Sequence, residues 1–180
     1  MNWLYKITIL CFSFMLLSCS FGEKKPIKNK INFVQDLPMK NIERIGDWYF
    51  SNSGLECFMF SFPVSSSGDY LLRSYNYMMI NYNKSNNSKE IYVVGGLLYK
   101  ENSLVRVYIN KVDFFFNTFE NQAWAENEEI ILKKLAFSKE NFLVFNDFKD
   151  NTFAIDKYSI SGFRKSLEKL NNACVSVDSI

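Results

Sequence analysis

The sequence predicts a mainly β domain. We read it as an antiparallel β-sandwich, or flattened barrel, with a short helix near 127–136 and a C-terminal helix. Three observations carry this. Short runs rich in aromatic and β-branched residues recur between turn clusters, the pattern of a sandwich or barrel. Aromatic residues make up 17% of the chain, with 18 phenylalanines, enough to fill such a core. Only two segments space their apolar residues for a helix, and no internal repeat or heptad is present.

The strands follow in order. Residues 47–51 (DWYFS) and 55–62 (LECFMFSF) are split by Asn52-Ser53-Gly54, a hairpin signal. Residues 70–82 form one long strand-like run, closed by the turn cluster 83–87 (NKSNN). Residues 90–94 lead into Gly95-Gly96, which lacks the Gly-Lys-Ser/Thr ending of a phosphate loop and reads as a bulge or turn. The alternating run 104–109 (LVRVYI) joins 112–116 (VDFFF) through Asn110-Lys111, a tight hairpin. Residues 142–145 and 152–155 are further short strands.

The first helix, 127–136 (NEEIILKKLA), opens with acids and closes with lysines, matching the helix dipole. The second, 161–174, carries the stripe Phe163, Leu167, Leu170 and Cys174, with Ser161 placed to cap it. Gly162 is expected to permit close packing at its start. In the 112–116 strand Phe115 points opposite to Phe114 and Phe116. It therefore lies on the outer face or under the first helix, and the helix is the expected cover. Phe115 and Trp124 are the candidate interaction residues, with Trp48 and Trp124 read first as core anchors.

The N-terminus reads as an address. Residues 7–17 (ITILCFSFMLL) follow Lys6 without a charge. The run is too short to span a bilayer and fits the apolar region of a secretory signal. It ends Leu16-Leu17-Ser18-Cys19, which resembles a bacterial lipobox. That resemblance implies signal removal after residue 18, lipidation of Cys19 and, with Ser20 next, an outer-membrane lipoprotein. The alternative is ordinary cleavage, which releases a soluble periplasmic protein. Residues 19–40 are Lys-rich with Pro26 and Pro38 and read as a flexible tether. The folded domain is assigned to 41–180.

Composition limits the chemistry. Twenty-one Lys+Arg against 19 Asp+Glu give a net charge of +2, without the basic field of a nucleic-acid module. The chain has no histidine, which removes Ser-His, Cys-His and His-metal chemistry. No metal-loop spacing and no cofactor motif is present. Of the carboxylates Asp113, Glu120, Glu126, Glu128, Glu129, Asp147, Asp150 and Asp156, most read as surface charges on turns and helix starts.

A family pattern emerges from the motifs in order. Asp47-Trp48 precedes Cys57-Phe58-Met59-Phe60-Ser61-Phe62-Pro63. Arg73, the run Tyr77-Met78-Met79-Ile80 and Ala123-Trp124-Ala125 follow. Asp156-Lys157-Tyr158-Ser159-Ile160-Ser161-Gly162-Phe163 opens the last block, which ends at Cys174. This order resembles the invasion-associated locus B protein family over 45–174. Three departures stand out: Asp150-Asn151-Thr152 replaces the family's Arg-Gly-Thr, Ser74 its Gly beside Arg73, and Ile160 its Leu.

The resemblance implies an exported β-rich envelope protein, linked in some members to host-cell invasion or envelope stress, with no catalytic activity. Cys57 and Cys174 match its two cysteine positions. They are also the two of four cysteines left once the signal and Cys19 are set aside. An exported compartment favours a bond between them; two buried free thiols are the alternative. The function expected is a non-enzymatic, lipid-anchored envelope protein that binds an unidentified partner or supports the envelope. The alternatives are a carrier of a lipid or glycan, and a hydrolase built on carboxylates or a Ser–Lys pair.

Overall fold

The structure is a computed structural model that describes residues 41–69, 73 and 75–174. The signal run, Cys19 and the tether over 19–40 lie outside the described residues. The strands are β1 (Glu43–Ile45), β2 (Trp48–Asn52), β3 (Glu56–Ser61), β4 (Ser65–Gly68), β5 (Tyr77–Asn83), β6 (Ser88–Val94), β7 (Leu104–Ile109), β8 (Val112–Phe119), β9 (Gln122–Trp124), β10 (Phe142–Asp147) and β11 (Phe153–Tyr158). The helices are α1 (Glu128–Phe137) and α2 (Phe163–Cys174).

Every predicted hairpin forms. β2 and β3 pair antiparallel around Asn52-Ser53-Gly54, with Trp48 opposite Ser61. β7 and β8 pair across Asn110 and Lys111, both at positive φ (51° and 63°), the backbone of a type I′ turn. Of the predicted run over 70–82, residues 70–72 and 74 lie outside the described residues, and the strand begins at Tyr77. Arg73 is instead drawn into a buried ion pair. β11 continues to Tyr158, beyond the expected end at 155. The short strands β1, β4 and β9 have no long apolar run to announce them.

The eleven strands form one antiparallel sheet in the order β1-β2-β3-β5-β6-β9-β8-β7-β10-β11-β4. β1 and β4 remain as its two edges, so the sheet is not a closed barrel. It nevertheless folds over one inner face. Trp48 on β2 donates its indole N–H to the carbonyl of Ser159, just past β11, at 2.9 Å. Residues from both ends of the strand order join one buried cluster, including Met59, Ile80, Val107, Phe116, Val144 and Tyr158. Alternation explains the filling: Cys57, Met59 and Ser61 of β3 point inward, and Phe58 and Phe60 outward.

Both helices close the inner core. α1 buries Ile131, Leu132 and Leu135 and packs on β6 and α2. α2 buries Phe163, Ser166, Leu170 and Cys174, with Leu167 packed at the rim of the core. Gly162, rather than Ser161, flanks its first turn, and its carbonyl accepts the Ser166 N–H at 3.0 Å. Ser161 contributes its carbonyl to the Asp47 N–H, also at 3.0 Å.

That contact brings two backbones together. A Cβ on Gly162 would sit 1.9 Å from the carbonyl oxygen of Ile45, and its φ is +87°. Only glycine fits both demands. Gly162→Ala is expected to destabilise the domain by about 2–3 kcal/mol, from backbone strain and displacement of β1. Urea unfolding measures it; a loss within about 0.5 kcal/mol, the ordinary surface-substitution range, contradicts this packing.

Candidate functional site

Three features of the domain bear on function: a disulfide at one end of α2, a buried polar network under the β4 edge, and an aromatic outer face.

Cys57 and Cys174 are joined as a disulfide, with their Cα atoms 6.1 Å apart, within the range such bonds need. The bond fastens the last residue of α2 to β3. At the other end of α2, Phe163 packs edge-on against Trp48 with centroids 4.9 Å apart. The helix is thus held on the sheet at both ends. Both cysteines are buried, and no described cysteine is left as a nucleophile.

The buried network centres on Asp156, which is 0% exposed. Its position corrects the expectation of a surface charge. Asp156 alternates with Ala154 and Tyr158 on β11, so strand parity points it inward with them. Arg73, with a side chain only 3% exposed, grips it through both guanidinium nitrogens, at 2.5 and 2.8 Å. Ser66 on β4 donates to the carboxylate at 2.6 Å, Asn76 at 3.2 Å and Asn146 on β10 at 3.0 Å. Arg73 also donates to the carbonyl of Gly95 at 3.2 Å. Tyr99 donates to Asn146 at 2.8 Å, one step outward.

Burial alone would lower the Arg73 pKa. The hydrogen bond and charge of Asp156 outweigh it and hold Arg73 above its ordinary value. The pair is buried and held by a two-point contact, with neutral donors around the carboxylate. Its chemistry is structural: it ties β4, β10 and β11 to the chain entering β5. Arg73 was visible in sequence as part of a family pattern, but nothing local marked Asp156 as its partner.

Two tyrosines respond to the same burial. Desolvation first, and the charge of Asp156 second, raise the pKa of Tyr99 and of Tyr158 well above the ordinary tyrosine value. In the unfolded chain these phenols ionise near pH 10. A raised folded pKa gives stability that is complete below about pH 10 and falls as pH rises beyond it. Each tyrosine is expected to remove about 1.4 kcal/mol per pH unit above that point. Urea titrations from pH 8 to 11 measure this, and Tyr99→Phe should reduce the slope. An unchanged slope contradicts the assignment.

The outer face brings the two candidate interaction residues together. Phe115 is 55% exposed on β8, so α1 does not cover it as expected. The reason is geometric: α1 lies on the inner side, packed on β6 and α2. Trp124 on β9 lies opposite Asn117 of β8, which places it on the same face as Phe115. Trp124 is half-buried, tilted against Tyr92 with centroids 4.5 Å apart.

From Phe115 a row crosses the sheet through Arg106 on β7 and Phe145 on β10. The Arg106 guanidinium sits 3.8 Å from the Phe145 ring centroid, a cation–π contact. Asp113 pairs with Arg106 at 3.9 Å. Leu104, Tyr108 and Phe153 extend the exposed apolar surface on both sides of the row. Soluble domains seldom display so many large apolar side chains on one face without a use for it.

Glu126 accepts from Asn117 at 2.5 Å. Asp150 accepts from the Thr152 hydroxyl at 2.6 Å, and these hydrogen bonds hold its pKa below the usual range. Asn151 between them adopts φ 63°, a conformation that glycine or asparagine tolerates. It occupies the position where the resemblance expects glycine. Glu101 and Asp147 line a cleft of about 470 Å³ beside the 100–103 loop. Lys149 holds Glu101 at 3.3 Å. Among the described residues no group of His, Cys, Asp or Glu could hold a metal ion, and no helix is long and apolar enough to cross a membrane.

In comparisons with known proteins, no family model, no curated protein and no solved structure matches this chain.

Proposed function

We propose that this chain is an exported, lipid-anchored envelope protein whose domain is non-enzymatic and binds a protein partner through the outer face around Phe115. The single observation that carries the binding role is the open aromatic row Phe115–Arg106–Phe145 with its exposed apolar flanks. Aromatic and arginine side chains are the residues that dominate binding energy at protein interfaces.

The anchor rests on the signal-like run over 7–17 and on Leu16-Leu17-Ser18-Cys19. The joined Cys57 and Cys174 suit an oxidising compartment. Two cysteines at the positions of the invasion-associated locus B pattern support kinship with that family, and with it a role in envelope integrity or host-cell contact. The carrier reading has less support, since the interior is occupied by the domain's own side chains, among them Trp48, Tyr82, Phe116 and Phe142. The hydrolase reading has less support, since Glu101, one of the two carboxylates lining the cleft beside the 100–103 loop, is paired with Lys149.

A photo-crosslinking residue at position 115, in the native envelope, tests the binding role. We expect it to capture one discrete protein, and Phe115→Asp to weaken recovery of that protein at least tenfold. Stability should change by no more than about 0.5 kcal/mol, since the side chain is exposed. Equal recovery of the partner by the Phe115→Asp protein contradicts the assignment of this face.

A further inference from the structure

The charges on the Phe115 face are ordered. Cross-strand neighbours on its outward side form two rows. The first runs from Asp113 on β8 through Tyr108 on β7 and Leu143 on β10 to Lys157 on β11. The second runs over the same strands as Phe115, Arg106, Phe145 and Ile155. Asp113 and Lys157 are both exposed, and they stand at opposite ends of the first row with apolar side chains between them. Alternation along β10 puts the exposed Asp147 on the same side as Phe145. Arg106 and Lys157 are therefore balanced by Asp113 and Asp147, and two such faces meet without net repulsion.

This order is what a surface needs in order to meet itself. Two copies packed face to face are related by a two-fold axis lying in the plane of contact, and residue i of one then meets j of the other while j meets i. Packed sheets keep their strands within about 30° of each other, so the axis follows either the strands or the rows. An axis along the strands, midway between β7 and β10, lays each row over itself in reverse. Asp113 then faces Lys157 of the second copy, Tyr108 faces Leu143, Phe115 faces Ile155 and Arg106 faces Phe145. Acid meets base at both ends of the first row, and the centre is aromatic and apolar, as in an interface with a polar rim. An axis along the second row does not do this. It sets Lys157 over Phe153 and Asp113 over Asn117, so neither charge finds a counterpart.

We propose that the partner of the Phe115 face is a second copy of this chain, packed face to face about a two-fold axis that runs along the strands between β7 and β10. This rests on the reading of that face as a binding surface and names its occupant. Charge complementarity fixes the register, and the aromatic row supplies the contact area.

Two differently tagged copies of the full chain, co-expressed in the native envelope, test it, with the photo-crosslinking residue at position 115 of one. We expect an adduct between the two tags, with the crosslink on the β11 peptide around Ile155. Asp113→Lys in both copies, or Lys157→Asp in both, sets like charges opposite each other twice and should lower the adduct at least tenfold. Asp113→Lys in one copy and Lys157→Asp in the other restores two opposite-charge pairs, and the adduct should return to within about threefold of the unsubstituted level. That recovery also shows that both variants fold. Capture of a different protein overturns the second copy as partner and leaves the binding face standing. Capture of nothing overturns both. An adduct between copies that lies away from β11, or that ignores the charge reversals, overturns this packing.

Discussion

Arg73→Ala is expected to lower the unfolding free energy by about 3–5 kcal/mol, the cost of leaving a buried charge unpaired. The expectation follows from what remains. Asp156 stays at 0% exposure with Ser66, Asn76 and Asn146 around it. Those neutral donors do not replace a bidentate guanidinium. The chain entering β5 would then lose its two-point grip on Asp156. A domain of this size has only about 5–15 kcal/mol in total. The variant should therefore sit near the edge of folding at 37 °C.

Adding Asp156→Asn removes the naked carboxylate, so the double variant should regain a measurable part of the loss. Urea denaturation of the wild-type, single and double variants measures both effects. A single-variant loss below about 1 kcal/mol is the size of an exposed ion pair and would contradict the buried arrangement.

That network also shows where sequence reading stops. Periodicity revealed the hairpins β2–β3 and β7–β8, both helices and the outward turn of Phe115, because these are local consequences of side-chain alternation and turn residues. The pairing of Arg73 with Asp156 is not local: the two lie 83 positions apart and meet only when the sheet folds over itself. Asp156 sits between Ile155 and Lys157, and on that neighbourhood alone it looks like a surface charge. The short strands β1, β4 and β9 were equally illegible. β4 is Ser-Ser-Ser-Gly, a turn-like composition recruited as an edge strand by its register with β11 and by Ser66 bonding to Asp156. The uncovered state of Phe115 depended on which side of the sheet α1 packs, a tertiary choice that the helix sequence does not encode by itself.

The second large effect concerns the disulfide. Cys57 and Cys174 close a loop with a sequence separation of 117 residues. Loop-closure entropy for such a length gives about 4–5 kcal/mol, of which engineered and native bonds often deliver less. Cys57→Ser/Cys174→Ser, or reduction of the denatured wild-type followed by refolding under reductant, should lower stability by about 2–5 kcal/mol. The damage should begin locally. α2 would keep Phe163 against Trp48 but lose its fastening at the other end, so amide protection should fall first in 170–174. Native protein that reacts with a thiol reagent at Cys57 or Cys174 before reduction would contradict the bond.

The Arg73 and disulfide predictions concern how the domain holds together, and Phe115→Asp concerns what it presents. All acquire their biological sense from the proposed address at the N-terminus. The mass of the N-terminal peptide from protein isolated with the membrane fraction tests that address most directly. The account predicts a mature chain that begins at Cys19 and carries the diacylglyceryl and acyl groups, and a Cys19→Ser protein that leaves the membrane fraction. An N-terminus at Met1, or an unmodified Cys19 in protein that fractionates identically with and without the substitution, would contradict it.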